Sequence, residues 1–536
     1  MAARRNLRAL KLQSNLAGIS QNRDERFLNP SEAQDIVNMH SLKDGTWSAD
    51  KAGYDHLNGT AVESGAVIDG VHWFTAADGT DYLLVAANGK LKQVNVSTGA
   101  VTDADASAGY TAGQPVDFQN FNDLVYTCDG TIATPRKWDG STGSNAGGWP
   151  VSDTVNSFDT PKYVELHQNR TAWSGFSSFP NHIVVSDQNA GETFTQPATT
   201  AADSFIAEVS PGDGGVITGM RSIPIPNSND DALVIFKNRG IYTMYGASAW
   251  SGDEDRFRII RNNPDFGAFN NRCIVHVGSD LLALNEYGII SYSSSNTSGT
   301  IQPVGISVNR IRDVIDKINP AEKSKCWGIH LKDRREIWWG IPTGSSTQVN
   351  EFIVYKYPDP GEPESPPRWS RRTGFTAAHG ALYNKTFYIG TYAGFVGHMF
   401  NASQYNGSGI AWKYEFPYWD MGDELRFKRI LVGKAHFRVR GDQSITMKTQ
   451  WKGGGNNDLF SQSLQVTTTV AGAVYGTAVY GTDFYGVRDE LSESYNVPGN
   501  GTRIKHTLSG TTTTSGPEFL GLSVIREPGG LAGHWN

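Results

Sequence analysis

Cysteine, charge and long apolar runs are all scarce in this chain of 536 residues. Its three cysteines, Cys128, Cys273 and Cys326, are far apart and form no CxxC pair, which predicts neither a disulfide framework nor a cysteine zinc site. No stretch approaches the roughly 18 consecutive apolar residues of a membrane span, so we expect no membrane insertion. Charged residues make up 19% and the net charge is −7, which provides no overall attraction to nucleic acid or anionic membranes. The N-terminus lacks an apolar run of signal-peptide length, and we expect folding in a reducing cytoplasm.

Glycine and aromatic residues are plentiful instead. The chain has 59 Gly, 14 Trp, 21 Tyr and 24 Phe, enough aromatic side chains to fill large cores, which excludes wholesale disorder. Many glycines with few charges favour turn-rich β structure, because glycine costs about 1 kcal/mol inside a helix. Only two segments show helical periodicity, NPSEAQDIVNMH (29–40) and SVNRIRDVIDKINP (307–320). We therefore predict an all-β protein with two short helices.

One pattern recurs along the middle of the chain: a short β run, a tight turn with Gly or Asn, and a second β run. Successive copies start roughly 40 to 60 residues apart, which leaves room for four strands each and matches the blades of a β-propeller. The pattern predicts a propeller of about seven blades over residues 55–405. Two β-sandwiches with coincidental spacing are the alternative. The copies cover residues 81–95, 122–138, 169–186, 231–246, 279–293, 335–357 and 384–400.

The two ends of the chain differ in composition from the repeats. Residues 406–536 contain strictly alternating segments, around Ile445 and Met447 for example, and are predicted to form a separate β-sandwich-like domain. Residues 1–54 are predicted to be an arm with one short helix. The proline-rich PDPGEPESPP (358–367) is predicted to be an exposed loop between strands of one blade.

No enzymatic signature is present. The chain has no phosphate-binding loop, no HExxH and no nucleophile elbow. DADASAG (103–109) resembles the start of a calcium loop but has Ala108 where glycine is needed, so a solvated turn is favoured. DQNAGETF (187–194) partly matches the Asp box of sialidase-like propellers but has Asn189 at the aspartate position, and a surface turn is favoured. We predict no catalytic residue, no cofactor and no metal site, and we do not expect an enzyme.

Basic and aromatic residues are concentrated in a few segments. Residues 1–26 and 421–452 carry an excess of Lys and Arg that would suit nucleic acid, an acidic partner subunit or a solvated face. The segment VYGTAVYGTDFYG repeats tyrosine at a period of five, which suits a protein contact, sugar stacking or a loop without function. The candidate interaction residues are Arg4, Arg5, Arg8, Lys11, Tyr475, Tyr480 and Tyr485.

The opening segment NLAGISQNRDERFLNPSEAQDIVNMHSLKDGTWSADKAGY (15–54) resembles the start of β-propeller virion proteins from short-tailed bacteriophages. The resemblance lies in a glycine-led strand, an acidic or prolyl turn, a short helix ending in Asn38-Met39, and Asp44-Gly45-Thr46-Trp47 leading to Lys51-Ala52-Gly53. The blade-like hairpins and the YGTAVYGT repeat in a C-terminal β domain are also similar to that group. The group includes the tail nozzle, tail tubular or head-to-tail stabilisation proteins.

The resemblance implies a structural role in a virion tail, assembled in the host cytoplasm. Six copies would form a ring below the portal and adaptor and continue the channel through which DNA leaves. The implied partners are further copies of the chain, the portal and adaptor proteins and the tail fibres, with transient non-specific contact to exiting DNA. Two other classes stay open. A glycan-binding or sialidase-like propeller predicts carboxylates and arginines converging at the central mouth, and a generic protein-interaction propeller predicts a monomer with one exposed apolar patch.

Overall fold

The structure is a computed structural model. It describes residues 8–13, 18–21, 28–29, 32–42, 45–49, 53–153, 155–225, 231–292, 305–307, 310–358, 367–423, 425–439, 443–453, 459–466, 489–513 and 515–531. Within this part of the chain, nearly all regular structure is β-strand.

Strands from the N-terminal segment pair with distant parts of the chain and not with one another, apart from one small hairpin. These strands are β1 (Arg8–Gln13), β2 (Asp35–Val37), β3 (His40–Ser41), β4 (Trp47–Ser48) and β5 (Tyr54–His56).

Seven antiparallel sheets follow one another around a common axis, and the first four have four strands each in sequence order. Blade 1 contains β6 (Ile68–Thr75), β7 (Asp81–Ala87), β8 (Lys90–Val94) and β9 (Val101–Asp105). Blade 2 contains β10 (Asp117–Phe121), β11 (Leu124–Cys128), β12 (Arg136–Trp138) and β13 (Gly143–Asn145), and is followed by a hairpin of β14 (Val151–Ser152) and β15 (Ser157–Phe158). Blade 3 contains β16 (Tyr163–His167), β17 (Arg170–Ser174), β18 (His182–Val185) and β19 (Phe205–Glu208). Blade 4 contains β20 (Ile217–Pro224), β21 (Asp231–Lys237), β22 (Ile241–Tyr245) and β23 (Arg258–Asn263).

The remaining blades complete the circle. Blade 5 contains β24 (Ile274–Val277), β25 (Asp280–Asn285) and β26 (Gly288–Ser291), and blade 6 contains β27 (Trp327–Leu331), β28 (Glu336–Ile341), β29 (Glu351–Lys356) and β30 (Arg368–Thr373). Blade 7 contains β31 (His379–Tyr383), β32 (Thr386–Gly390) and β33 (Val396–Met399), and its outer strand is β5. The helical pieces between strands are α1 (Arg312–Ile315) and 3-10 turns at Val62–Gly65, Asn271–Cys273, Lys323–Lys325 and Lys332–Arg334.

The propeller is closed. Each inner strand contacts the inner strand of the next blade, and β31 of blade 7 contacts β6 of blade 1. β5 precedes blade 1 in sequence but pairs with β33 of blade 7. The last blade therefore contains strands from both the beginning and the end of the propeller sequence. Closure packs the inner strands of the first and last blades against each other, and each blade keeps only a short outer edge. The seven-bladed prediction is confirmed, and each predicted hairpin unit supplies the second and third strands of one blade.

The C-terminal part forms two sheets packed face to face. After β34 (Gln404–Tyr405), the inner sheet contains β35 (Ser408–Glu415), β37 (Gln443–Lys452), β38 (Leu459–Val466) and β40 (Arg503–Thr512). The outer sheet contains β36 (Arg426–Val439), β39 (Asp489–Tyr495) and β41 (Glu518–Leu531), together with β1, β3 and β4. Alternate residues of each sheet, such as Met447 and Phe437, are buried in one shared core, as their alternation predicts. The C-terminal region is therefore β-sandwich-like.

The N-terminal strap, which we define as the described part of residues 18–56, joins the sandwich to the propeller. β2 pairs antiparallel with β35 of the inner sheet and in parallel with β30 of blade 6. A single hydrogen-bonded sheet therefore continues from blade 6 through the strap into the sandwich.

Buried charges hold the strap at this junction. Arg371 on β30 donates through Nε and Nη2 to Asp35, at 2.9 and 2.7 Å, and also pairs with Glu351. Nζ of Lys413 on β35 lies 2.7 Å from Oδ2 of Asp35, the oxygen that also accepts from Nη2 of Arg371. Burial would raise the pKa of Asp35, but the hydrogen bonds and charges of Arg371 and Lys413 outweigh it and hold that pKa below its usual value.

Both helix predictions need correction. The helix predicted over residues 29–40 is wrong where the structure describes it, because β2 and β3 occupy this segment and two neighbouring strands satisfy the backbone of β2. The helix predicted over 307–320 is reduced to α1 and adjoining turns. Its predicted cap, Ser307, instead accepts a hydrogen bond at Oγ from the backbone N–H of Ile289, at 2.8 Å. In both segments tertiary pairing overrides local periodicity.

We predict that Gly53→Ala destabilises the protein by at least about 2 kcal/mol. A Cβ at this position would lie 1.9 Å from the backbone oxygen of Gln404. Avoiding it would break the backbone hydrogen bonds that Gly53 makes with Ala402 and Phe400, at 2.9 and 2.7 Å. Urea unfolding measures the effect. Gly59→Ala is the matched control because nothing lies within 4 Å of its Cβ position, and equal unfolding midpoints for the two variants would contradict the prediction.

We predict that Arg371→Met costs about 3–5 kcal/mol, because it leaves two buried carboxylates, Asp35 and Glu351, without their shared cation. Arg426→Met is the control: Arg426 is exposed and pairs with Asp423 three residues away, so its loss should cost no more than about 1 kcal/mol. Unfolding free energies from urea titrations compare the two. A loss below about 1 kcal/mol for Arg371→Met would refute a structural role for the charge network.

Candidate functional site

Polar side chains from several blades meet on the propeller axis. Asn271 lies on the 3-10 turn that leads into blade 5, and its Nδ2 donates to Asp117 of blade 2 at 2.8 Å. Its Oδ1 accepts from Nη1 of Arg221 on blade 4 at 2.9 Å. Arg221 also pairs with Glu165 of blade 3 at 3.1 Å. These hydrogen bonds connect four blades across the centre, and we call this group the axial network.

The turn that carries Asn271 is held by its own cap. The side chain of Asn270 accepts from the backbone N–H groups of Arg272 and Cys273, at 2.8 and 3.2 Å, and donates to the carbonyl of Cys326 at 2.9 Å. The cap thereby fixes Arg272, whose guanidinium donates to carbonyls of the next two blades, at Ser324 (3.1 Å) and Ala378 (3.4 Å).

Burial dominates the protonation of these groups. It raises the pKa of Glu165 to about 7, against the opposing effect of Arg221. It also raises the pKa of Asp69, at the same end of blade 1, to about 7, although Asp69 accepts hydrogen bonds from backbone N–H groups. Burial lowers the pKa of His72 to about 4 and that of His379 to about 3, so both imidazoles are neutral near pH 7.

A small cavity of about 70 Å³ opens beside the axial network, at the end where the inner strands begin. Asp117 and Asn271 form part of its wall, together with Lys162, Tyr163 and Arg272. Ligand pockets for drug-sized molecules measure roughly 300–1,000 Å³, so this cavity suits only a group of a few atoms.

A larger cleft of about 500 Å³ lies at the opposite end of the inner strands, next to blades 6 and 7. Trp73 lies in its wall with 37% of its surface exposed, and Phe400 lies there with the guanidinium of Arg334 stacked 3.8 Å from its ring centroid. This mixture of aromatic and basic groups is the kind of surface on which a sugar or a planar ligand can stack.

The calcium-loop-like segment DADASAG and the Asp-box-like segment DQNAGETF both contact other parts of the propeller. In DADASAG, Asp103 pairs with Lys92 at 2.5 Å and Asp105 pairs with Arg136 at 2.6 Å. Both aspartates lie on β9, and the exposed turn that we expected follows the strand at Ala106 and Ser107. Among the described residues, no group of three or more His, Cys, Asp or Glu could hold a metal ion.

The Asp-box-like segment connects two blades. It forms a turn after β18 of blade 3, and Asp187 accepts from the backbone N–H of Thr195 at 2.9 Å. Glu192 reaches blade 2, where it binds Lys137 at 2.7 Å and Tyr126 at 3.0 Å. The segment thus makes contacts that hold blades 2 and 3 together.

The structure brings parts of the two basic segments together on the outer sheet. Lys11 of β1 and Lys434 of β36 are both paired in register with Ser523 of β41, which lies between them, and both lysines are exposed. Their charges, together with burial, lower the pKa of the neighbouring His436. Two residues further along the paired strands β36 and β41, Val432 and Ile525 are 41% and 38% exposed. We call these five residues with Ser523 the outer-face patch.

The other basic and tyrosine residues that the sequence analysis singled out are not part of the outer-face patch as the structure describes it. Arg4, Arg5, Tyr475, Tyr480 and Tyr485 lie outside the described residues, as does the side chain of Arg8. Lys448 is exposed on the opposite side of the sandwich from Lys434, since it lies on the inner sheet. Lys428 is buried, and burial lowers its pKa to about 8. The basic run 421–452 therefore does not form one continuous basic face.

Sequence reasoning missed the axial network. Its members are single polar residues near the starts of inner strands or just before them, spaced about one blade apart, and polar residues at strand ends are common. The one sequence feature that could have pointed to these residues is their position. Asp69, Asp117, Glu165 and Arg221 each fall within the first strand of a blade.

Comparisons with known proteins add little to this description. No family model and no curated protein matches the chain. The chain is similar to the solved structure of the computationally designed Ika8 protein, at 11% identity and a TM-score of 0.34, over 64% of this chain and 99% of that one. It is also similar to the Pan2 WD40 domain of Neurospora crassa, at 8% identity and a TM-score of 0.38, over 67% and 97% of the two chains. A third match, assigned as a 6-phosphogluconolactonase from Bacteroides fragilis, has 11% identity and a TM-score of 0.36 over 62% and 89%. At these TM-scores the matches carry no argument about function.

Within the described residues, no helix is long and apolar enough to cross a membrane.

We predict that Asp69→Asn removes part of the pH dependence of stability. The Asp69 carboxyl has a pKa of about 7 in the folded protein against an ordinary value of 3.8, so between these values it keeps its proton only when folded. The native protein therefore loses stability as the pH rises from about 4 to about 7, by roughly 4 kcal/mol at most from this group. Asparagine cannot ionise, so the variant should lose less stability over this range. Urea unfolding at about pH 4.5, 6 and 8 tests this, and parallel pH profiles for the two proteins would contradict it.

Proposed function

We propose that this protein is a structural component of a short-tailed bacteriophage tail, in which copies of the chain form a ring below the portal and adaptor and continue the DNA-exit channel. The observation that carries the proposal is the position of the residues behind the sequence resemblance. Asn38, Trp47 and Gly53 all lie in the N-terminal strap, where they join the propeller to the sandwich.

Each of these residues makes a contact that requires its type. Asn38 has a positive φ of 56° and bonds through its side chain to Thr373 on blade 6 and to Ala411 on β35. Trp47 is buried in the sandwich core, and Gly53 allows close approach to the backbone of Gln404. The resemblance is thus a resemblance of architecture. A propeller and a sandwich that are joined by buried strand pairing suit a subunit that must keep its shape when force acts on it.

The outer-face patch is the surface we assign to the contact with a neighbouring copy. It combines a basic pair, Lys11 and Lys434, with an adjacent apolar row, Val432 and Ile525. The chain as a whole has a net charge of −7, so a basic patch complements the rest of another copy's surface. A ring is a heterologous assembly, in which one face of a subunit meets a different face of its neighbour.

The glycan-binding alternative has one observation in its favour and one against it. Carboxylates and arginines do converge at the axis, in Asp117, Glu165 and Arg221 among others. However, Glu165 and Arg221 pair with each other, and the adjoining cavity of about 70 Å³ is too small for a sugar ring. A glycan would need a larger opening, such as the cleft of about 500 Å³ at Trp73 or the cleft of about 660 Å³ lined by Tyr54, Phe375 and Tyr405.

The decisive experiment measures copies of this protein in purified particles of the phage that encodes it, relative to the portal, by quantitative mass spectrometry. We expect half as many copies as portal subunits. The Lys11→Glu/Lys434→Glu double variant should fold but be depleted from particles about tenfold or more, because charge reversal disrupts the contact between copies.

Lys448→Glu is the matched control, since it reverses one exposed lysine on the opposite side of the sandwich and should be incorporated normally. Absence of the wild-type chain from particles would end the structural proposal. In that case glycan-array binding that Trp73→Ala abolishes would establish the alternative. Equal incorporation of both charge variants would refute the outer-face patch alone.

A further inference from the structure

The cavity of about 70 Å³ at the propeller axis has two cations in its wall. Lys162 lies just before the inner strand of blade 3, and Arg272 lies just before that of blade 5. Gln114, Asn270 and Ser324 also line the cavity, together with Asp117 and Asn271 of the axial network, and Tyr163 is a buried aromatic residue of the wall.

Neither cation has a carboxylate partner among the described residues. The Lys162 side chain makes no hydrogen bond or ion pair there, and its ammonium lies 5.6 Å from the ring centroid of Tyr163. The Arg272 guanidinium donates only to the backbone carbonyls of Ser324 and Ala378 within the same part of the chain. Two recessed cations without counter-charges are costly, because partial burial removes water that would otherwise stabilise them.

Two nearby carboxyl groups, Asp117 and Asp69, interact electrostatically with Arg272 but form no ion pair with it, and Asp117 is already hydrogen-bonded. Asp117 accepts at Oδ2 from the backbone N–H of Val164 at 3.0 Å and from Asn271 at 2.8 Å. Burial raises the pKa of Asp117, because desolvation disfavours its charged form. Burial and the charge of Arg272 lower the pKa of Lys162, as expected for a cation whose neighbour is another cation.

We propose that this cavity is a binding site for a small oxyanion of the phosphate or sulfate class, held between the ammonium of Lys162 and the guanidinium of Arg272. The planar guanidinium suits two oxygens of such an anion, and the ammonium suits a third. The site is independent of the proposed role in a virion.

The volume selects the ligand. A water needs roughly 10–15 Å³ of accessible cavity volume, so about 70 Å³ has room for a few waters or for one tetrahedral anion. Asn271 and Asp117, bonded to each other, occupy the wall on the axial side. These dimensions favour a free inorganic anion over a phosphate group attached to a larger molecule.

Titration calorimetry of the full chain with inorganic phosphate, and separately with sulfate, tests the site at constant ionic strength in a chloride buffer. We expect saturable binding with about one anion per chain and a matching rise in the thermal midpoint. Lys162→Met should weaken the affinity about tenfold or more, since it removes one charged donor from the anion. This variant should fold, because the Lys162 side chain has no hydrogen bond or ion pair to lose among the described residues.

Lys317→Met is the matched control, because Lys317 is exposed and lies outside the cavity, and it should bind as the wild type does. Arg272→Lys is a second variant, which keeps the positive charge but removes the planar pair of donors. It should weaken binding less than the double variant Lys162→Met/Arg272→Lys does. Unchanged binding in Lys162→Met, or no saturable binding by any of the proteins, would overturn the proposal. The assignment to a free anion would be overturned if the protein bound a short 5′-phosphorylated oligonucleotide through Lys162 but did not bind inorganic phosphate.

Discussion

The structure depends on one buried pairing, the insertion of β2 between β30 of blade 6 and β35 of the sandwich. The register places Asp35 beside Arg371, a residue 336 positions away, and the guanidinium reaches Glu351 as well. Together with the pairing of β34 with β35 and with β5, this strand joins blade 6, blade 7 and the sandwich in one continuous sheet. Because buried charges are costly unless all partners are present, the network also excludes other registers of the strap.

The same chain segment closes the propeller a few residues later. β5 completes blade 7, so the segment that fastens the sandwich also joins the first and last blades. Both events pair residues far apart in sequence, and the entropy of closing such long loops must be offset by many contacts formed together. We infer that strap docking, propeller closure and completion of the outer sheet by β1 and β4 form a single cooperative unit.

Two polar regions follow from this framework and differ in exposure. On the axis, Asn271 and its partners are enclosed by inner strands, and burial controls their protonation. On the outer sheet, Lys11 and Lys434 are exposed because alternate residues of a sandwich strand face solvent. The first region holds blades together and offers space for a small ion. The second has the mixture of charge and apolar area that is typical of a contact surface.

The sequence by itself determined the elements that depend on local rules. Alternating apolar residues and Gly or Asn turns located the second and third strands of every blade, because these signals act within a few residues. It also predicted the sandwich-like character of the C-terminal region from residues such as Ile445 and Met447. Only the tertiary structure decided what depends on distant partners. The segment around Ile36 reads as a helix but is a strand, because two strands more than 300 residues later supply its hydrogen bonds. Lys11 and Lys434 become neighbours, and Asn271 meets Asp117, for the same physical reason: the closure of seven blades and the docking of the strap bring together residues that no local pattern connects.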